Sequence, residues 1–240
     1  MTTRRSFLAA STAAAAGAFI SKGASAADVA TTQLPAKWDA ETDVLVAGSG
    51  IAGMSAAISA LDKGAKVLVM EKGKNYGGCA IINGGIIALG GGTRTQKEHG
   101  VEDSPDKLYK KLTNPAHHEY RKNTPELVKK YSEWCPGTQV WLEEHGVKFL
   151  PTFTRPGKYD SQHHESYHHI WWKDSGEGGR KPQPTGGFMT GRGIMMPYYE
   201  YFTGKGGQIF LEHKVVDVYV NDQGAVVGAK VQKPDGSIMN

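Results

Sequence analysis

The run Asp43-Val44-Leu45-Val46-Ala47-Gly48-Ser49-Gly50-Ile51-Ala52-Gly53, followed 18 residues after its last glycine by an acid, Glu71, limits the possible folds of this chain more than any other feature. Val44 to Ala47 is a short apolar run of the kind that forms a parallel strand covered on both faces. Gly48 allows the tight turn out of that strand, Gly50 lets a pyrophosphate come close to the backbone, and Gly53 lets the next helix pack tightly on the strand. That helix is expected from Ile51 to about Lys63, on good helix formers such as Ala52, Met54, Ala57 and Leu61, with Gly64 closing it. Lys66 to Met70 reads as a second buried strand that ends at Glu71. The helix start offers free N–H groups and a positive dipole end to a diphosphate. A carboxylate at Glu71 can accept both hydroxyls of an adenosine ribose and would repel a 2′-phosphate. A lone glycine motif would say little, but strand, helix, strand and acid at these spacings define a dinucleotide-binding βαβ unit.

The residues after Glu71 decide between dinucleotides. Gly77-Gly78-Cys79-Ala80 and then Gly84-Gly85 place two more glycine pairs within 14 residues of the acid. An NAD unit has no need of them. FAD has a long ribityl chain and a flat ring that run close to the backbone, which favours small residues. From Asp43 to about Gly92 the chain resembles the flavoprotein subunit family of fumarate reductase and succinate dehydrogenase. It is most similar to the soluble branch holding flavocytochrome c fumarate reductases, urocanate reductase and 3-ketosteroid dehydrogenases. The resemblance lies in GSGxAGxxAAIxAxxxGAKVxxxEK, then xGGxA and a further glycine pair.

The resemblance implies an α/β fold: a Rossmann-like FAD-binding domain with a parallel sheet, a βαβ unit and a β-hairpin, carrying part of an inserted capping segment. It implies FAD contacts at Gly48, Ser49, Gly50, Ile51, Ala52, Gly53, Glu71, Lys72, Gly78, Cys79, Ala80, Gly84 and Gly85. Covalent members carry a histidine just before the last glycine pair. Here Cys79-Ala80-Ile81-Ile82-Asn83 holds none, so the flavin is expected to be non-covalent. Cys79 stands where the family often has Asn, Ser or Thr. It is read as a small buried residue whose backbone touches FAD, in preference to a redox thiol.

The first residues are set apart from this fold. Arg4-Arg5-Ser6-Phe7-Leu8 is a twin-arginine pattern, a weakly apolar stretch follows to Ile20, and Ala24-Ser25-Ala26 is a cleavage signal. Residues 1–26 are therefore expected to be an export leader read by the twin-arginine machinery, with the mature protein in the periplasm. The full chain carries 28 basic and 24 acidic side chains, and the leader holds three of the basic ones, Arg4, Arg5 and Lys22. What remains is close to neutral, so no nucleic-acid or membrane-surface partner is implied. Cys79 and Cys135 show no metal spacing, and no disulfide is expected.

The remaining organisation is a linker over 27–42, a first part of the FAD domain over 43–150, an irregular segment over 151–187 toward the cap and substrate site, and a return to the FAD domain over 188–240. Ser104-Pro105 and Thr124-Pro125 each open a helix. The second is expected to stop near Trp134 at Cys135-Pro136-Gly137, with a further helix from Thr138 to Glu144 directing Val140, Trp141 and Leu142 to a core. Gly146 ends it and Val147 to Leu150 reads as a strand. His163, His164, His168 and His169 invite a metal reading, since HHxxxHH could set His164 and His168 on one helix face. With no cysteine to complete a site, a loop packed over flavin or substrate is the favoured reading, and no metal is expected.

Gly191-Arg192-Gly193 resembles the family's glycine-rich stretch near the flavin ring. Arg192 is either a substrate-carboxylate anchor or a solvent residue at a helix start. A helix from about Ile194 to Gly204 should bury Met195, Met196, Tyr198, Tyr199 and Phe202. Gln208 to Glu212 and Lys214 to Val220 read as strands, and Ala225 to Gln232 pairs back as a hairpin. By the same resemblance, the backbone of Val215 holds the adenine. The family extends well beyond this length, so an N-terminal part of a longer flavoprotein is expected, with the proton-donating arginine past Asn240. The implied activity is reduction of an activated alkene, with 3-ketosteroid dehydrogenation or an inactive flavin-binding fragment as alternatives. A small-molecule substrate and a separate haem or FMN electron donor are the expected partners, because no CxxCH motif occurs here.

Overall fold

The structure, a computed structural model, describes residues 32–116, 124–149, 167–171 and 191–240. The leader over 1–26, residues 27–31 of the linker, His163 and His164, and nearly all of the 151–187 segment lie outside the described residues.

The expected βαβ unit forms. Strand β1 (Val44–Ala47) leads through the glycine turn into helix α1 (Ile51–Asp62), and strand β2 (Val67–Met70) lies parallel beside β1, with Val44 opposite Val67 and Ala47 opposite Met70. Gly64, at φ 79°, closes α1 by donating to the Leu61 carbonyl at 2.8 Å. A third parallel strand, named β6 below, pairs with the other edge of β2.

Side chains alternate across β2, and both faces are buried. Val67 and Val69 join the main core with Met54, Ile58 and Phe202. Leu68 and Met70 face the other way, onto Val231, Val215 and Met239. Strand β1 differs from the expectation. Val44 and Val46 pack on the core, but Leu45 is 37% exposed and Ala47 is exposed. The reason is position: β1 is an edge strand of this sheet, covered by helix on one face only, among the described residues.

After β2 the chain makes a 3-10 turn (Gly78–Ala80), strand β3 (Ile86–Ala88), a short helix α2 (Arg94–Glu98) and helix α3 (Pro105–Thr113). Ser104 caps α3 as predicted, its hydroxyl accepting the Lys107 N–H at 3.2 Å. Helix α4 (Pro125–Glu144) corrects the sequence reading: it runs unbroken through Pro136. Val128, Ser132, Cys135, Gln139 and Leu142 lie at helical spacing on one buried face, and the packing of that face carries the helix through the proline. Thr124 makes no side-chain cap, and Val140 points outward at 46% exposure, whereas Leu142 is buried.

Strand β4 (Lys148–Phe149) pairs with strand β5 (Tyr167–Trp171), which also pairs with β3. His168 and His169 therefore stand in a strand, opposite Ile87 and Ile86, and not on a helix face. Aromatic and β-branched neighbours in Tyr167-His168-His169-Ile170-Trp171 favour the extended form. Helix α5 (Arg192–Gly204) lies against α1 and buries Ile194, Met195, Tyr198 and Phe202, whereas Met196 and Tyr199 are half-buried. Strand β6 (Gln208–Phe210) completes the parallel sheet and stops two residues early, because Leu211 and Glu212 turn the chain, Glu212 with φ 57°. Strands β7 (Lys214–Val220), β8 (Val226–Gln232) and β9 (Ile238–Met239) form the expected hairpin and extend it to a third antiparallel strand. Within the expected linker, Thr32 donates to Val220, and Trp38 lies against Gly228, where a Cβ would come within 2.3 Å of the indole ring.

Three residues tie α1, α4 and α5 together away from the glycine turn. Asp62 accepts from Tyr201 at 2.7 Å and contacts Nε2 of the buried His145 at 2.8 Å.

Candidate functional site: a glycine-lined anion turn braced by Glu71

The site forms where β1 and β2 end. Gly48, at φ 100°, turns the chain and donates its N–H to the Met70 carbonyl at 2.7 Å, which locks the two strand ends together. Gly50 is extended at the N-cap of α1, and its carbonyl accepts the first helical bond from Met54 at 2.9 Å. No side chain caps α1, and its first turn carries no acid. The N–H groups of Ile51, Ala52 and Gly53 thus lack intrahelical partners and sit at the positive end of the helix dipole, an arrangement suited to a diphosphate.

The two inner glycines are required for different reasons. A Cβ on Gly53 would lie 2.0 Å from the Gly48 carbonyl oxygen and 3.3 Å from Val46, so the helix could not approach the strand. A Cβ on Gly50 would meet no described atom within 4 Å. Protein packing therefore explains Gly53 but not Gly50, and the open side of Gly50 is the one the glycine spacing assigns to pyrophosphate.

Glu71 sits beside this turn, nearly buried at 9% exposure. One carboxylate oxygen, Oε2, accepts the Ser49 N–H at 2.8 Å and the Ser49 hydroxyl at 2.6 Å. The other, Oε1, accepts the Gly73 N–H at 2.7 Å. Burial raises the carboxyl's proton affinity, but the Ser49 and Gly73 donors and the charge of Lys72 outweigh it and hold the group below the usual glutamate range. Lys72 itself is exposed. The Glu71 carbonyl accepts the His213 N–H at 2.8 Å, and the Gly73 carbonyl accepts the Glu212 N–H at 3.0 Å. These bonds bring the start of β7, with Val215, to the acid despite 144 residues of separation in sequence.

The later glycines converge on the same region. Gly77 and Gly78 both have positive φ, and a Cβ on Gly78 would sit 3.4 Å from the Gly50 Cα. The Gly77 N–H bonds to both the carbonyl and the hydroxyl of Ser49, each at 3.2 Å. Asn83 folds its own loop, donating to the Ala80 carbonyl and accepting from Gly85, whose φ is 70°. Gly84 is exposed beside it. Gly191, at the head of α5, donates to the Asn83 carbonyl, and a Cβ there would stand 1.9 Å from the Ala80 oxygen. Cys79 lies in the 3-10 turn and is exposed among the described residues, whereas the second free cysteine, Cys135, is buried. Tyr76 stacks on Tyr199 with centroids 4.3 Å apart and donates to Met196 Sδ, which gives these two half-buried residues of α5 their partner. Arg192 is exposed at the start of α5. Among the described residues no group of three His, Cys, Asp or Glu side chains could hold a metal ion, and no helix is long and apolar enough to cross a membrane.

Comparison with known proteins matches residues 43–239 to the FAD binding domain family. The chain belongs to this family. The match begins at Asp43, the first residue of the glycine motif, and makes FAD the cofactor class of the fold. Among curated relatives, the acrylate reductase flavoprotein subunit of Shewanella woodyi is 45% identical over 94 residues, covering 39% of this chain and 18% of the relative. A fumarate reductase (cytochrome) of Shewanella frigidimarina is 29% identical over 191 residues, covering 79% of this chain and 29% of the relative. Among solved structures, the 3-ketosteroid-Δ4-(5α)-dehydrogenase from Rhodococcus jostii RHA1, in complex with 4-androstene-3,17-dione, superposes with a TM-score of 0.69 at 28% identity, covering 85% of this chain and 44% of the other. The chain thus spans less than a third of the length of these two curated relatives.

Sequence reasoning reached the glycine turn, Glu71 and the FAD class. It missed the part played by Ser49, which joins the turn, the acid and the Gly77 loop, and the approach of Gly191 to Ala80. A small polar residue between two motif glycines was the one available signal for Ser49.

Proposed function

We propose that the full-length protein is a non-covalent FAD-dependent oxidoreductase of CH–CH bonds that reduces an activated alkene of the fumarate or acrylate type. The observation that carries this reading is the match of 79% of the chain to a fumarate reductase, supported by the closer match to an acrylate reductase subunit. In this reading the diphosphate lies on the turn from Gly48 through Ser49, Gly50, Ile51 and Ala52 to Gly53. The adenosine ribose meets Glu71 beside Lys72, and the adenine lies against the backbone of Val215. The ribityl chain and ring run past Gly78, Cys79, Ala80, Gly84 and Gly85. The open side of Gly50 and the uncapped start of α1 fit the diphosphate.

Bound FAD supplies the hydride that the alkene receives. The residues of this chain hold and orient the cofactor. The proton donor is assigned to the portion of the relatives that this chain does not span. The absence of a histidine from Cys79 to Asn83 supports non-covalent attachment. The twin-arginine pattern supports export to the periplasm, where a haem or FMN protein would deliver electrons. A second reading, 3-ketosteroid dehydrogenation, is favoured by the superposition on the Rhodococcus enzyme.

The test is a pair of assays on the purified full-length protein: oxidation of reduced viologen with fumarate or acrylate, and dye-coupled dehydrogenation of a 3-ketosteroid. The proposal expects alkene-dependent viologen oxidation, and FAD released intact on acid denaturation. Steroid turnover alone would establish the second reading. Bound FAD with neither activity would mark a flavin carrier and overturn both.

A further inference from the structure

We propose that Ser49 is a positioning residue for the adenosine half of FAD: its hydroxyl commits one oxygen of Glu71 to the protein and leaves the other to receive a single ribose hydroxyl. This inference rests on the reading of Glu71 as the adenosine-side contact. Ser49 is fully buried. A carboxylate has about four acceptor sites, two on each oxygen. Both sites of Oε2 are taken by Ser49, at 2.8 Å from its N–H and 2.6 Å from its hydroxyl, and Gly73 takes one site of Oε1. Among the described residues one acceptor site remains, on Oε1. The carboxylate is thus preset to accept one strong bond from a vicinal diol, and not bonds from both hydroxyls, as the sequence reading allows. The Ser49 hydroxyl oxygen also accepts from Gly77 at 3.2 Å, which holds it in place beside Glu71 while its proton is donated to the carboxylate.

The same geometry makes flavin binding depend on proton concentration in a predictable way. The titratable and charged groups around Glu71 are Lys72 and Lys74 on its own loop and Glu212 and His213 on the facing turn. Residues 44–61, from β1 through most of α1, contribute none. The Ser49 donors and Lys72 favour the carboxylate, and its folded-state pKa is depressed. A contact that needs the anion is therefore complete above that pKa and is lost as pH falls through it. Removing the hydroxyl of Ser49 moves that loss to higher pH.

The experiment is titration of FAD into the deflavinated full-length protein, followed by flavin fluorescence from neutral pH into the acid range, with circular dichroism confirming the fold at each pH. Ser49→Ala should raise the FAD dissociation constant about tenfold at neutral pH, the effect of one charge-assisted hydrogen bond. It should also shift the acid loss of affinity to higher pH. Ser49→Cys, which keeps the volume but only weakly donates, should behave the same way and serves if the alanine variant does not fold. In a Glu71→Gln background Ser49→Ala should add little. Wild-type affinity and pH profile in both Ser49 variants would overturn the inference, as would simple additivity with Glu71→Gln. Should Glu71→Gln itself bind FAD at wild-type strength, the Glu71 reading fails and this inference fails with it. If only the Ser49 variants are silent, the Glu71 reading stands.

Discussion

Gly50 and Gly53 stand three residues apart in one motif, yet they answer to different constraints, and alanine separates them. Gly53→Ala drives a Cβ to 2.0 Å from the Gly48 oxygen, so α1 must move off β1. We predict a loss of about 1–3 kcal/mol of stability, measured by denaturant unfolding of the flavin-free protein. Gly50→Ala adds a methyl to open space at φ −65°, a conformation alanine adopts readily. Its flavin-free stability should stay within about 0.5 kcal/mol of wild type. Its FAD retention on dialysis should fall sharply, because the methyl occupies the side assigned to the diphosphate. Equal stability losses in the two variants would contradict the division of roles. These roles were legible in the sequence because backbone sterics at fixed spacing are local. The bonds from Ser49 to Glu71 were not. They depend on which residues of β1 and β2 are opposite, and the register that sets Ala47 beside Met70 emerges only when the strands pair.

Helix α4 shows where local rules fail. Proline lacks an N–H and its ring crowds the carbonyl four residues earlier, so Cys135-Pro136-Gly137 reads as a break. The buried stripe of Val128, Ser132, Cys135, Gln139 and Leu142 continues past it, and core burial outweighs the missing bond. Pro136→Ala should restore a hydrogen bond to Ser132 without touching the buried stripe. We predict a stability gain of about 1–3 kcal/mol by chemical denaturation, with flavin affinity unchanged. A destabilised variant would mean that the helix is built around the proline. The other elements divide in the same way. Capping chemistry predicted α3, and alternation with a turn predicted β7 and β8. Strand β5 escaped notice because its partners β3 and β4 are remote in sequence and its histidines suggested other chemistry.

At the scale of the molecule, a three-stranded parallel sheet is held between helices α1 and α5 on one face and the β7–β8–β9 sheet on the other. The strand ends of β1 and β2 meet the glycine loops and the turn before β7 in one place, at the carboxyl end of a parallel sheet, where ligands of such sheets bind. In the proposed reading, that convergence lets residues from Gly48 to Gly85, together with the start of β7, serve one cofactor. The fold class and the cofactor class were readable from the βαβ spacing and the glycine pairs. The coverage of β2 by the hairpin and the exposure of β1 were not, because they depend on how separate sheets stack. The most direct test is a crystal structure of the full-length protein with FAD bound. It should show the diphosphate against the N–H groups from Ile51 to Gly53, with one ribose hydroxyl on Glu71 Oε1 and Ser49 still on Oε2. A diphosphate away from this turn, or an adenosine ribose with no contact to Glu71, would contradict the account.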